Sequence, residues 1–240
     1  MNFDVCAYTN KGGRDYNQDS VSYKQMGDNG LFVVADGLGG HSFGELASAC
    51  VIETMVETWD GSFPEGASAF LDAKIMESNR RILALQEEKE SVLKSTVVAL
   101  ATEGSQAVWA NVGDSRLYYI HEGEVALYTN DHSVAYKKFR GGEIRREDIP
   151  KDPDQSALIR TVGSEDRCKV EVYDPITVVP GDAFVLCSDG MWEYLKDGEI
   201  AFDLYKSSNA AEWAGHLLVR LMDRIDGEND NLSIITVVVN

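Results

Sequence analysis

The sequence is short of the residues from which several common sites are built. Four cysteines, Cys6, Cys50, Cys168 and Cys187, are scattered through 240 residues. No CxxC pair occurs, which excludes a zinc ribbon or a dithiol redox motif. Cys50 and Cys187 lie inside apolar runs and read as small buried hydrophobes, so a reduced, cytoplasmic chain is expected. The four histidines, His41, His121, His132 and His216, form no cluster. No run approaches the roughly 18 apolar residues of a spanning helix. The N-terminal MNFDVCAYTNKGG has neither the basic start nor the apolar stretch of a secretory signal. Positive charge is also scarce: 22 Lys and Arg stand against 40 Asp and Glu, a net charge of −18. That surface repels phosphate backbones and argues against nucleic-acid binding, whereas it attracts divalent cations and basic proteins.

What the chain has in quantity is short β-like runs. FDVCAY, SVSYK, LFVVAD, STVVALA, QAVWANV, RLYYI, EVALYT, DAFVLCS and LSIITVVV carry β-branched or aromatic residues and are bounded by Gly, Asp or Asn. TEGS and HEG each join two of them as hairpin turns, which predicts an antiparallel meander rather than a βαβ series. Near-helical periodicity predicts helices over 42–59 (Phe43, Leu46, Cys50, Met55, Trp59), 64–90 with Pro64 in the first turn, and 210–225 (Trp213, Leu217, Leu221, Met222). The class is α+β: packed antiparallel sheets covered by helices. Residues 134–167 are polar, with GG and two prolines, and a connection of that length is usually functional or mobile. There is no repeat and no interdomain linker, so one domain over 1–240 is expected.

Five aspartates share one setting. Asp36 ends LFVVA and is followed by Gly37, Gly39 and Gly40; Asp189 ends AFVLCS; Asp114 follows QAVWANVG; Asp230 precedes LSIITVVV; Asp19 precedes SVSYK. Aspartate beside glycine is an ordinary turn signal. Five at strand ends ask for more, because strand ends converge at the rim of a sandwich and gathered carboxylates repel unless a cation balances them. Oxygen donors without Cys or His point to a hard ion, Mg²⁺ or Mn²⁺. Gly37 would let a backbone carbonyl approach it.

In order, RDYNQDS, VADGLGGHSFGE, NVGDSRLYYI, LIRTVGS, LCSDGMWEYL and NDNLSIITVVV resemble the metal-dependent serine/threonine protein phosphatases of type 2C, bacterial branch. The resemblance spans the chain from about Phe3 to Val239. It implies a β-sandwich of two antiparallel sheets flanked by helix pairs, with a two-metal centre at one end. Asp36 would bridge two Mg²⁺ or Mn²⁺ ions, Gly37 would offer its carbonyl, and Asp189 and Asp230 would complete one ion's shell. Asp19 would act through metal-bound water, and Asp114 with Asp189 would hold a third, weaker ion. Arg14 would grip the substrate phosphate. The implied reaction is hydrolysis of phosphoserine or phosphothreonine by a metal-bridging hydroxide, without a phosphoenzyme. Phosphoproteins made by a Ser/Thr kinase are the implied partners, a monomer is the default, and 134–167 falls at the family's flap.

The sequence departs from the family in two places. Gln18 stands where many relatives have Glu, removing a charge near the metals. Leu38 stands where eukaryotic members have the His proposed as general acid; His41 or a metal-bound water are the substitutes. A pseudophosphatase, a binding module that kept the fold and lost the chemistry, is the competing reading, and a two-metal nuclease is disfavoured by the charge. The intact Asp36, Asp189 and Asp230 speak for the enzyme.

Overall fold

The computed structural model describes residues 1–38 and 43–240. The expected start of the first helix at Ser42, and Gly39, Gly40 and His41, lie outside the described residues. In chain order the strands are β1 (Phe3–Asn10), β2 (Asp19–Met26), β3 (Asn29–Leu38), β4 (Lys94–Ser95), β5 (Val97–Glu103), β6 (Gln106–Val112), β7 (Arg116–His121), β8 (Glu124–Tyr128), β9 (Glu171–Val172), β10 (Ile176–Thr177), β11 (Ala183–Cys187) and β12 (Leu232–Val239). The helices are α1 (Gly44–Ile52), α2 (Ala67–Lys89), α3 (Val134–Arg140), α4 (Asp189–Trp192), α5 (Asp197–Tyr205) and α6 (Ala210–Met222).

One sheet runs β1-β12-β11-β7-β8; the other runs β10-β6-β5-β3-β2, with β4 on β3 and β9 on β6. The strand pairs described are antiparallel. Three apolar layers hold four layers of structure together. The first joins α1 and α2 to one sheet, the second lies between the sheets, and the third joins the other sheet to α5 and α6. β3 explains its own composition: Leu31, Val33 and Ala35 face the α1–α2 layer, while Phe32 and Val34 face the other sheet. With both faces covered, an unbroken apolar run replaces alternation. Continuing the period of two, Asp36 falls on the inter-sheet side, at the end of the sandwich.

Several boundaries differ from the expected ones. α2 starts at Ala67 rather than Pro64, because Gly66 caps it with φ 85° and Pro64 belongs to the preceding turn. α1 buries Ala47 and Val51, while Leu46 is exposed; the helix then widens into a π-turn over Glu53–Glu57, which shifts the buried face. α6 ends at Met222, whose side chain faces solvent, while Trp213, Leu217 and Leu221 are buried as expected. Residues 134–167 are not plain loop. They include α3 and a 3₁₀ turn, Arg146–Lys151, anchored by buried Tyr136 and Ile149 and by Lys138, whose amine reaches Asp152 and Asp154 at 2.8 and 2.7 Å. The four cysteines are unpaired. Among the described residues, no helix is long and apolar enough to cross a membrane.

Candidate active site

The five aspartates gather at one end of the sandwich. Asp19 opens β2 and lies directly opposite Asp36 on β3 in the antiparallel register. Asp189 follows β11 as the first residue of α4, Asp114 sits in the β6–β7 turn, and Asp230 lies just before β12. Asp19 and Asp114 are buried, whereas Asp36, Asp189 and Asp230 are partly exposed at the rim.

Burial and mutual repulsion act together on these groups. Desolvation first, and then the charges of Asp19, Asp189, Asp114 and Asp230, push the Asp36 carboxyl well above the usual range. Asp19 is raised to about 6 and Asp189 to about 7, in both cases chiefly by burial. Asp114 is raised well above its ordinary value by burial and by Asp189. Like charges this close cost free energy unless they protonate or a cation sits among them. Among the described residues, the one cation paired with any of the five is Arg14, whose Nη2 lies 2.8 Å from Asp230 Oδ2 at an exposed edge.

The donor set fits a hard dication. Asp19 Oδ1 and Asp189 Oδ1 are buried without a hydrogen-bond partner, the condition that an ion relieves. Among the described residues, no three His, Cys, Asp or Glu side chains already close on one point as a ready-made ligand group. The two unpartnered carboxylate oxygens, Asp19 Oδ1 and Asp189 Oδ1, are the donors that such an ion would take up. Gly37 is required on steric grounds: a Cβ there would lie 2.1 Å from the Gly44 carbonyl oxygen and 2.6 Å from that of Gln18. Gly190 is required in the same way, with the Asn231 carbonyl oxygen 2.0 Å from a Cβ.

Polar side chains fix this end of the molecule. Ser95 Oγ donates to the Asp36 carbonyl at 2.9 Å, and the Asp36 amide donates to Thr96 Oγ1 at 3.1 Å. Ser188 Oγ donates to Asp19 Oδ2 at 2.8 Å. Asn231 ties down the loop that carries Arg14. Its Nδ2 donates to the carbonyls of Lys11 and Tyr16, and its Oδ1 accepts from the Gln18 amide, each at 2.8 Å. The Gln18 side-chain nitrogen packs at Gly44, 2.6 Å from where a Cβ would stand.

Ser188, Asn231, Glu193 and Gln155 also belong to the site, although the sequence assigns none of them a role. Glu193, one turn beyond Asp189, is raised to about 8 by burial and then by Asp189 and Asp230. Gln155, from the 134–167 segment, turns its amide toward Asp189 and Glu193 and holds their pKa values down slightly, although its buried Nε2 completes no hydrogen bond of ordinary geometry. Ser188 and Asn231 directly flank singled-out aspartates, the one sequence signal that pointed to them. The described histidines His121, His132 and His216 are not part of this cluster. His121 pairs with Asp182, and buried His132 bonds Glu171 at 2.9 Å while its Nδ1 accepts from the Gly113 amide, steadying the turn before Asp114.

The family model for protein phosphatase 2C matches residues 11–211. A serine/threonine phosphatase, stp, of Listeria welshimeri is 30% identical over 237 residues, covering 95% of this chain and 92% of its own. The solved serine/threonine phosphatase of S. agalactiae superposes with a TM-score of 0.88 at 25% identity, covering 100% of both chains. The catalytic domain of PstP, solved with two manganese ions, superposes with a TM-score of 0.83 at 27% identity over 99% of both. A matched region this long, taken with the two-sheet sandwich and its rim of aspartates, makes the chain a member of the protein phosphatase 2C family.

Proposed function

We propose that the protein is a metal-dependent phosphatase that hydrolyses phosphoserine and phosphothreonine in proteins. The observation that carries this is the gathering of Asp19, Asp36, Asp114, Asp189 and Asp230 at one rim, where among the described residues Arg14 is the only paired cation and two buried carboxylate oxygens are unsatisfied. Two divalent cations, Mg²⁺ or Mn²⁺, would supply a water acidic enough to act at neutral pH and positive charge against the phosphoryl oxygens.

In this reading Asp36, the Gly37 carbonyl, Asp189 and Asp230 would hold the two ions, Asp19 would act through water, and Asp114 with Asp189 would hold a weaker third. Ser188 orients the Asp19 carboxylate, as hydrogen-bond partners of ligands do, and Ser95 holds the Asp36 main chain through its carbonyl. Arg14 is the phosphate clamp: its side chain is 58% exposed and meets Asp230 through one nitrogen, and the rest of its fork bonds none of the described residues, leaving it to take two phosphate oxygens. The 134–167 segment acts as the flap, and Gln155 is its contact with the site. The chain works as one catalytic domain over 1–240, a cytoplasmic monomer whose substrates come from a Ser/Thr kinase.

The test is hydrolysis of a phosphothreonine peptide by metal-stripped protein, titrated with Mn²⁺ and then Mg²⁺, with Asp36→Asn in parallel. Metal-dependent turnover that Asp36→Asn lowers by at least about 10²-fold is expected. A folded protein inactive with both metals would mean a pseudophosphatase.

A further inference from the structure

In a chain of net charge −18, one cleft beside the aspartate rim is lined by six basic side chains and three acidic ones. It measures about 810 Å³ and lies between the 3₁₀ turn Arg146–Lys151 and the α4–α5 connection. Its inner wall is continuous with the site. Trp192 Nε1 donates to the Asp114 carbonyl at 2.9 Å, and the Glu193 amide donates to the Asp189 carbonyl at 3.1 Å. One helical turn of roughly 6 Å therefore separates Asp189 from the cleft. An extended peptide rises roughly 3.3 Å per residue, so a chain whose phosphoresidue sits at the rim enters the cleft about two residues away.

The basic residues divide into two kinds. Arg116, Arg146 and Arg224 are wall. Arg116 pairs with buried Asp131 at 2.6 Å and stacks on Trp192; Arg146 pairs with Asp197 and lies over Tyr128; Arg224 pairs with Glu199 at 2.6 Å. Arg145, Lys151 and Lys196 form the mouth and are exposed. Among the described residues Arg145 pairs with Glu147 and Asp148, both largely solvent-facing, which compete weakly. Lys151 and Lys196 have no carboxylate at ion-pair distance among the described residues.

We propose that this cleft binds an acidic stretch of the substrate protein flanking the phosphorylated residue, so that the enzyme prefers phosphopeptides rich in Asp or Glu. The proposal rests on the phosphatase reading above. The chain's overall charge alone would favour basic substrates; the cleft reverses that preference where the peptide leaves the site.

The experiment compares kcat/KM on three phosphothreonine peptides that differ only in having Glu, Ala or Lys at the flanking positions. It uses the metal-loaded full chain and the double variant Lys151→Glu/Lys196→Glu, with p-nitrophenyl phosphate as the flank-free control. The Glu peptide should exceed the Ala peptide about tenfold, the yield of two or three solvated charge contacts. The advantage should shrink with added salt and vanish in the double variant, with p-nitrophenyl phosphate turnover unchanged. Equal rates on Glu and Ala peptides, a preference for Lys, or a preference that survives the charge reversal would overturn the proposal while leaving the phosphatase reading intact. Loss of p-nitrophenyl phosphate turnover in the wild type would overturn that reading instead. In that case, fluorescence anisotropy of the labelled Glu and Lys peptides on wild type and double variant reads the cleft directly: tighter Glu binding lost on reversal supports the proposal, and equal binding overturns it.

Discussion

Raising the pH should destabilise the metal-stripped protein. Asp19 and Asp189 have folded pKa values of about 6 and about 7, against an ordinary 3.8. A carboxyl raised on folding binds more protons folded than unfolded between its two pKa values, so stability falls as pH rises through that window. From pH 5 to pH 8, Asp19 traverses about one unit and Asp189 about two, roughly 1.4 and 3 kcal/mol at 1.36 kcal/mol per unit. Each value contains the other's charge, so the joint loss is roughly 3 kcal/mol. For a chain of this size that is about 6–12 °C in Tm. Glu193, raised to about 8, adds in the same direction. Glu171 and Glu199, held at about 2 by their partners, finish titrating below pH 5 and stay out of the window. His121, raised by Asp182, also loses its contribution as pH rises above its ordinary 6.5, so an Asp189→Asn chain is the control: it keeps His121 and should show a shallower slope. The assay is calorimetry of chelator-treated protein from pH 5 to 8, with and without saturating Mn²⁺, which should flatten the slope because ionised carboxylates become ligands. A Tm that holds or rises with pH in the chelated protein, or a slope untouched by Mn²⁺, would show that these carboxyls are not raised on folding.

Other consequences follow from single contacts. Arg116→Met leaves Asp131 buried without its partner and should cost about 3–5 kcal/mol in urea unfolding, the usual result of stranding a buried charge; an unchanged midpoint would contradict the pairing. Asn231→Ala removes three hydrogen bonds to the loop of Arg14, so stability should fall by roughly 2 kcal/mol. Its KM for a phosphopeptide should rise more than its kcat falls, and the reverse pattern would show that the loop does not act through binding. Gly37→Ala places a methyl 2.1 Å from the Gly44 carbonyl oxygen and should abolish calorimetric Mn²⁺ binding even in folded protein; normal binding would show that α1 can retreat without cost.

Much of this was legible in the sequence because its strongest signals are local. LFVVA is continuous because both faces of β3 are covered, and the aspartate ending it had to emerge at a rim. Asp189 and Asp230 were legible for the same reason, standing at the boundaries of long apolar strands. What was not legible depends on partners far away in sequence. The pairing of Arg116 with Asp131 and the three contacts of Asn231 leave no periodic trace. α5 was missed because it buries only Ile200, Ala201 and Asp203 while Phe202 and Tyr205 face solvent, which blurs its apolar stripe. The 134–167 segment looked like loop because its anchors, Tyr136 and Ile149, are spread among charges that pair with one another.

The phosphatase reading places the catalytic cations at the aspartate rim. The most direct measurement is anomalous diffraction from crystals of the protein soaked in Mn²⁺. Two strong peaks within ligand reach of the Asp36 carboxylate, both lost in Asp36→Asn, are the expected result. Crystals whose dissolved protein turns over a phosphothreonine peptide, yet which show no peak at Asp36, would contradict the claim and place the metal chemistry elsewhere.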